Sequence, residues 1–161
     1  MADHPLHPLC APAAFLLGEW RGEGHGGYAG MTPFTYREEM RVRHTGKPYL
    51  AFEQRTWETG ESARSGREVH GELGYLRCHE GGGMELIVAM APGHAEVSTG
   101  SVDGTRISLF STGVLDAPSS AAVSAVKRTW LLDGDVLRYD LEMSALDQPM
   151  GWHLSAELRR V

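Results

Sequence analysis

Apolar and polar residues alternate along two stretches of this chain, residues 34–43 and residues 136–143, with Glu38 as the one charged residue on the apolar parity of the first. In the second stretch Leu137, Tyr139, Leu141 and Met143 occupy one parity and three charged residues occupy the other. A period of two places the two sets on opposite faces of a β-strand. Each stretch therefore predicts a strand with one buried face and one solvated face.

The rest of the chain has the same character. Further short segments are rich in branched or aromatic residues and are predicted strands: residues 49–57, 68–78, 84–90, 94–102, 105–112, 123–132 and 151–158. Asp103-Gly104 and Asp133-Gly134 favour tight hairpin turns between them. No gap is long enough for a crossover helix, so nine or ten strands form an antiparallel meander. Closing it into a barrel removes free edges and leaves room for one small ligand, although the pattern alone also allows a sandwich.

Composition narrows the class of protein. The 161 residues fit one domain, with 42% hydrophobic residues and a formal net charge of -6. The 15 basic residues are scattered, which argues against a nucleic-acid partner. Residues 1–20 lack the pattern of a signal peptide or a membrane span, which favours a cytoplasmic protein. We expect residues 1–12 to form a mobile arm and residues 13–161 a single domain. Residues 11–17 are expected to form one or two helical turns.

The glycine-rich stretch 18–24, GEWRGEG, superficially resembles a nucleotide-binding loop. Its spacing does not fit GxGxxG, and no βαβ unit surrounds it. Read as a strand, it places Gly18, Trp20, Gly22 and Gly24 on one face, so that a single large ring stands on a face otherwise free of side chains. Glycine there allows a bend or a close approach of backbones. The stretch therefore has a structural role in this interpretation.

Two of the eight histidines fall inside predicted strands, His70 and His153. Simple alternation puts His153 on the face of Ser155 and Glu157, away from the apolar face that carries Leu154, unless a bulge breaks the pattern. A lone strand histidine is more often a solvated or satisfied side chain than a ligand. The spacing of Cys10 and Cys78 does not fit a metal site, and we interpret both as reduced structural thiols. No hydrolase or kinase motif is present.

Six stretches, in order over nearly the whole chain, resemble the nitrobindin family of heme-binding β-barrel proteins, the peroxynitrite isomerases. The first is residues 17–24, which match the family's GxWxGxG through Gly18, Trp20, Gly22 and Gly24. The others are residues 33–39, 44–48, 70–77, 133–139 and 148–154. The resemblance implies an all-β fold: a ten-stranded antiparallel barrel like fatty-acid-binding proteins and lipocalins, with a short N-terminal helical turn.

The same resemblance implies a function. One heme b per chain would bind near the open end, with His153 as the axial iron ligand and His70 and Met143 as cofactor-binding positions in the pocket. Ferric heme would isomerise peroxynitrite to nitrate, and nitric oxide would bind reversibly; a homodimer is left open. Gly30 and Ala121 stand where the family often has a heme-contacting threonine and lysine, which predicts weaker heme retention. The alternative function is a non-enzymatic carrier or sensor of heme or another apolar small molecule.

Overall fold

The computed structural model describes residues 4–161 as ten β-strands and two short 3-10 helices. The helices span Pro8–Leu16 and Glu80–Gly82. The strands are β1 (Gly18–Tyr28), β2 (Met31–His44), β3 (Tyr49–Thr59), β4 (Glu68–Cys78), β5 (Gly83–Met90), β6 (His94–Asp103), β7 (Arg106–Asp116), β8 (Val123–Asp133), β9 (Val136–Ala145) and β10 (Gly151–Arg160). Over the described range, no helix is long and apolar enough to cross a membrane.

Each strand pairs antiparallel with its neighbours in the chain, and β1 also pairs with β10, so the sheet closes into a barrel. In the closed barrel every strand pairs with a neighbour on both of its edges, which rules out the sandwich. The predicted fold class is therefore confirmed. The two Asp-Gly turns also lie where the sequence places them, with φ of 57° at Gly104 and 63° at Gly134.

The N-terminal helix covers one end of the barrel. It begins at Pro8, inside the segment 1–12 for which the sequence predicts a mobile arm; residues 1–3 of that segment lie outside the described residues. Cys10, Ala13 and Leu16 are buried against the strands, and Cys10 and Cys78 are both free thiols. The indole Nε1 of Trp20 donates to the carbonyl of Leu16 at 2.8 Å, which ties the helix to β1.

The glycines of β1 allow neighbouring strands to approach its backbone closely. A Cβ atom on Gly22 would lie 1.9 Å from the carbonyl oxygen of Glu157 on β10, and one on Gly24 would lie 2.4 Å from the ring of Tyr36 on β2. Neither site has room for a side chain, because backbone and a buried aromatic ring already occupy the space. Trp20 fills the place between Gly18 and Gly22 and is 1% exposed.

We expect Gly22→Ala to destabilise the barrel by more than about 3 kcal/mol, because the methyl group must displace the backbone of β10. Chemical unfolding followed by tryptophan fluorescence measures the loss. Gly113→Ala is the matched control, since a Cβ there meets nothing within 4 Å. Equal stability of the two variants would contradict the close approach of β1 and β10.

Candidate functional site

A cavity of about 510 Å³ occupies the half of the barrel opposite the N-terminal helix. Its apolar lining comes from Met31, Phe34, Met90, Val126, Leu141 and Leu154, and polar residues such as Thr56, Glu58 and Arg64 line it as well. His70 from β4 and His153 from β10 also line it. The structure thus brings the two strand histidines to one cavity. A pocket with apolar walls and a few placed polar groups is the usual form of a small-molecule site.

A β-bulge turns His153 into this cavity. In the pairing of β9 with β10, Trp152 lies opposite Glu142 and Leu154 opposite Leu141, so His153 is an extra residue without a partner on β9. A bulge of this kind redirects a side chain. His153 therefore does not take the outward direction that simple alternation gives it, and the bulge left open by the sequence analysis is present.

The imidazole of His153 is held in one orientation. Its Nδ1 lies 3.0 Å from the carbonyl oxygen of Gly27 on β1, and the rings of Tyr28 and Phe34 pack edge-on at 6.1 and 6.4 Å between centroids. A carbonyl only accepts, so Nδ1 carries the proton and Nε2 keeps its lone pair. Burial lowers the pKa of His153, which favours the neutral ring that can bind a metal.

A charged cluster forms the floor of the cavity, and the sequence analysis did not predict it. Arg128 is fully buried and forms salt bridges with Glu72 at 2.8 Å and Glu96 at 2.7 Å. Its NH1 also donates to the hydroxyl of Tyr139 at 3.0 Å. One signal was available: Arg128 shares its parity on β8 with Val126 and Trp130, which are both buried. A charge on an apolar face indicates a buried partner.

Glu38 belongs to the same interior but forms no salt bridge with any described residue. It is 1% exposed, and neither carboxyl oxygen has a hydrogen-bond partner among the described residues. Burial, reinforced by the charge of Glu72, raises the pKa of Glu38 to about 8. At neutral pH the side chain is therefore mostly protonated, and Glu72 and Glu96 are the carboxyl groups of the floor that form salt bridges with Arg128.

This carboxyl predicts a loss of stability at alkaline pH. The pKa of Glu38 in the folded protein lies above that of an unfolded chain, so its contribution is fully present below about pH 4.5 and is lost as pH rises through 8. The loss is on the order of 4 kcal/mol for a shift of this size. We expect Glu38→Gln to become more stable than the natural chain at pH 8 to 9 in urea unfolding. Parallel curves for both proteins between pH 5 and 9 would contradict this.

Comparison with known proteins decides the family. Residues 9–160 match the family model described as a THAP4-like, heme-binding beta-barrel domain. The chain belongs to this heme-binding barrel family. It is 41% identical to Peroxynitrite isomerase 1 of Mycolicibacterium paratuberculosis, over 96% of each chain, and 40% identical to Peroxynitrite isomerase of Nocardia farcinica, over 96% of this chain and 92% of that one.

A solved structure agrees with the family assignment. The crystal structure of Rv2717c from M. tuberculosis superposes with a TM-score of 0.87 at 36% identity, covering 98% of this chain and 99% of that one. The family resemblance found in the sequence is thereby confirmed. So is heme as the family's cofactor.

The cavity fits a heme-binding barrel. Its apolar walls suit the faces of a porphyrin, and a neutral imidazole with a free Nε2 is a common axial ligand of heme iron. Neither Gly30 nor Ala121 is among the residues that line the cavity. Gly30 is in the turn between β1 and β2 with φ of 77°, and Ala121 is exposed in the loop before β8. Met143 packs against the core from β9 but is not among the residues that line the cavity.

Proposed function

We propose that the chain binds one heme b through Nε2 of His153 and isomerises peroxynitrite to nitrate with the iron in the ferric state. The observation that carries the proposal is the bulge at His153, which aims a neutral imidazole into an apolar cavity and fixes it through Gly27. The names of the relatives from Mycolicibacterium and Nocardia, both peroxynitrite isomerases, support the same activity.

When bound, the heme would supply redox-active iron, which is the chemistry that a substrate with an oxygen–oxygen bond requires. The chain supplies the surroundings. Phe34, Leu141 and Leu154 line the cavity that would hold the porphyrin and would exclude water from it, and the hydrogen bond to Gly27 keeps Nδ1 of His153 protonated and Nε2 basic. His70 stands in the same cavity as one of the polar groups that a small anion would meet. The same arrangement serves reversible binding of nitric oxide to the ferrous form.

Kinetics with added peroxynitrite test the activity. We expect hemin-loaded protein to accelerate peroxynitrite decay in proportion to its concentration and to shift the products toward nitrate, whereas the heme-free chain does neither. Free hemin at the same concentration is the control. A loaded protein that binds hemin but leaves decay and nitrate yield unchanged would favour the alternative, a carrier or sensor of heme.

We also propose that the chain forms a homodimer through one wall of the barrel. The outward residues Tyr75, Ile87 and Val97 lie side by side on β4, β5 and β6, next to a second row that runs from Leu73 to Leu115. All five are exposed, and neither row carries a charge between these residues. Copies with a net charge of -6 repel each other, so the neutral apolar face is the one through which a second copy can dock.

Sedimentation equilibrium tests the dimer. We expect a dimer for the natural chain and a monomer for Ile87→Glu, because a two-fold axis through this face brings two carboxylates together. Glu23→Lys on the exposed, charged face of β1 should stay dimeric. A monomeric natural chain, or a dimer that Ile87→Glu leaves intact, would contradict the proposal.

A further inference from the structure

Glu72 on β4 links the charged floor of the barrel to the cavity above it. Both of its carboxyl oxygens accept hydrogen bonds from Arg128, at 2.8 and 3.0 Å. Oε1 also lies 2.8 Å from Nε2 of His70, two residues earlier on the same face of β4. One carboxylate therefore joins a fully buried guanidinium to a histidine that lines the cavity.

The guanidinium leaves Glu72 little freedom to move. Arg128 is held from its other side by Glu96 through three hydrogen bonds of 2.7 to 3.1 Å. Burial alone would raise the pKa of Glu72, but the charge of Arg128 and the hydrogen bond from His70 outweigh it and lower the pKa to about 2. Glu72 is thus an ionised, fixed acceptor at neutral pH.

An ionised carboxylate has no proton to donate, so Nε2 of His70 must be the donor in this contact. The neutral imidazole is then the Nε2–H form, and its only lone pair is on Nδ1. Nδ1 accepts a hydrogen bond when His70 is neutral and donates one when it is protonated. Since Nε2 is committed to the floor, Nδ1 is the nitrogen available to a molecule in the cavity.

We propose that Glu72, braced by Arg128, is the positioning residue that fixes the orientation of His70 and keeps a proton on its Nε2, so that Nδ1 faces the cavity and, in the protonated ring, donates a hydrogen bond to a small anion there. The role of that anion as substrate rests on the proposed function; the tautomer of the neutral ring does not. Peroxynitrite and nitrate are both monoanions, so the isomerisation needs no net proton. The protonated ring of His70 donates its Nδ1–H to the anion and releases it, and its protonation state is the same before and after turnover; the neutral ring has only a lone pair on Nδ1 and cannot donate to an anion.

Variants of Glu72 and Glu96, the two carboxylates of the floor, distinguish a positioning role for Glu72 from a structural one. Glu72 and Glu96 are both buried and both pair with Arg128, but only Glu72 contacts His70. Glu96→Gln is therefore the matched control for Glu72→Gln, since each removes one charge from the same guanidinium. Glu72→Asp is a second variant: it keeps the charge beside Arg128 and withdraws the carboxylate from His70 by one methylene.

Nitrogen NMR of the histidine rings in the full-length, ¹⁵N-labelled chain without heme reads the tautomer directly, with His70→Ala as the assignment control. For the neutral ring of His70 we expect Nε2–H as the single tautomer in the natural chain and in Glu96→Gln. In Glu72→Gln, and in Glu72→Asp should the first variant fail to fold, we expect a tautomer mixture. An unchanged tautomer without the Glu72 contact, or the same change in Glu96→Gln, would overturn the proposal.

A second readout uses hemin-loaded protein and fluoride, a small anion that responds to hydrogen-bond donors near the iron. At a pH at which the ring of His70 is protonated, and Nδ1 therefore carries a proton, we expect Glu72→Gln to weaken fluoride binding by about tenfold, the usual scale for a hydrogen bond to a charged group, and Glu96→Gln to leave it unchanged. Equal fluoride affinities in all three proteins would overturn the role of Nδ1. Failure of the isomerase activity would leave the NMR result standing, so the two proposals fail separately.

Discussion

Arg128→Met is expected to destabilise the folded barrel by about 3 to 5 kcal/mol, which is the usual cost of removing one partner from a buried ion pair. The substitution leaves two buried carboxyl groups, Glu72 and Glu96, without the guanidinium to which both are bonded. Among the described residues no other arginine or lysine forms a salt bridge with either of them. Each carboxyl group must then either stay ionised without a buried countercharge or take up a proton, and both cost folding free energy at neutral pH.

Urea unfolding of the natural chain and the variant measures this effect. Arg43→Met on the exposed face of β2 is the control and should change stability by less than about 0.5 kcal/mol. Adding Glu72→Gln and Glu96→Gln to Arg128→Met should recover much of the loss, because the interior then contains no unpaired charge. A loss below about 1 kcal/mol in the single variant would show that Arg128 does not neutralise the floor.

The strands were predictable because each one is half-buried. Alternation at residues 136–143 and the Asp-Gly turns are local signals, and local signals place strands and hairpins without knowledge of distant partners. Closure into a barrel was predictable only because it removes the two free edges of an open sheet. The N-terminal helix was predicted three residues too late, since its prolines read as loop signals whereas Pro8 is the first residue of the helix.

The site was less predictable, because it depends on pairings between distant strands. Whether His153 points inward is decided by the bulge between β9 and β10, a property of register that the sequence of β10 alone does not contain. The charged floor of the cavity likewise depends on pairings between distant strands. The position of Arg128 among apolar residues of its strand signals a buried charge, but its partners Glu72 and Glu96 come from two other strands. The heme and the proposed activity were inferred from the family resemblance, because no spacing of residues indicated them.

His153→Ala carries the largest functional effect, because His153 is the axial ligand in the proposed heme site. The alanine leaves the apolar walls intact but removes the nitrogen that would bind iron. Histidines outside the cavity should not matter. His25→Ala is a suitable control, since His25 is exposed on β1 and lies beside Trp152 rather than in the cavity.

The absorption spectrum after reconstitution with hemin tests this assignment most directly. We expect the natural chain and His25→Ala to give the same sharp Soret band and a stoichiometry of one heme per chain. His153→Ala should lose the band or shift it to that of hemin without a histidine ligand, with weaker retention on gel filtration. An identical Soret band and equal retention in His153→Ala would contradict His153 as the iron ligand and, with it, the proposed heme site.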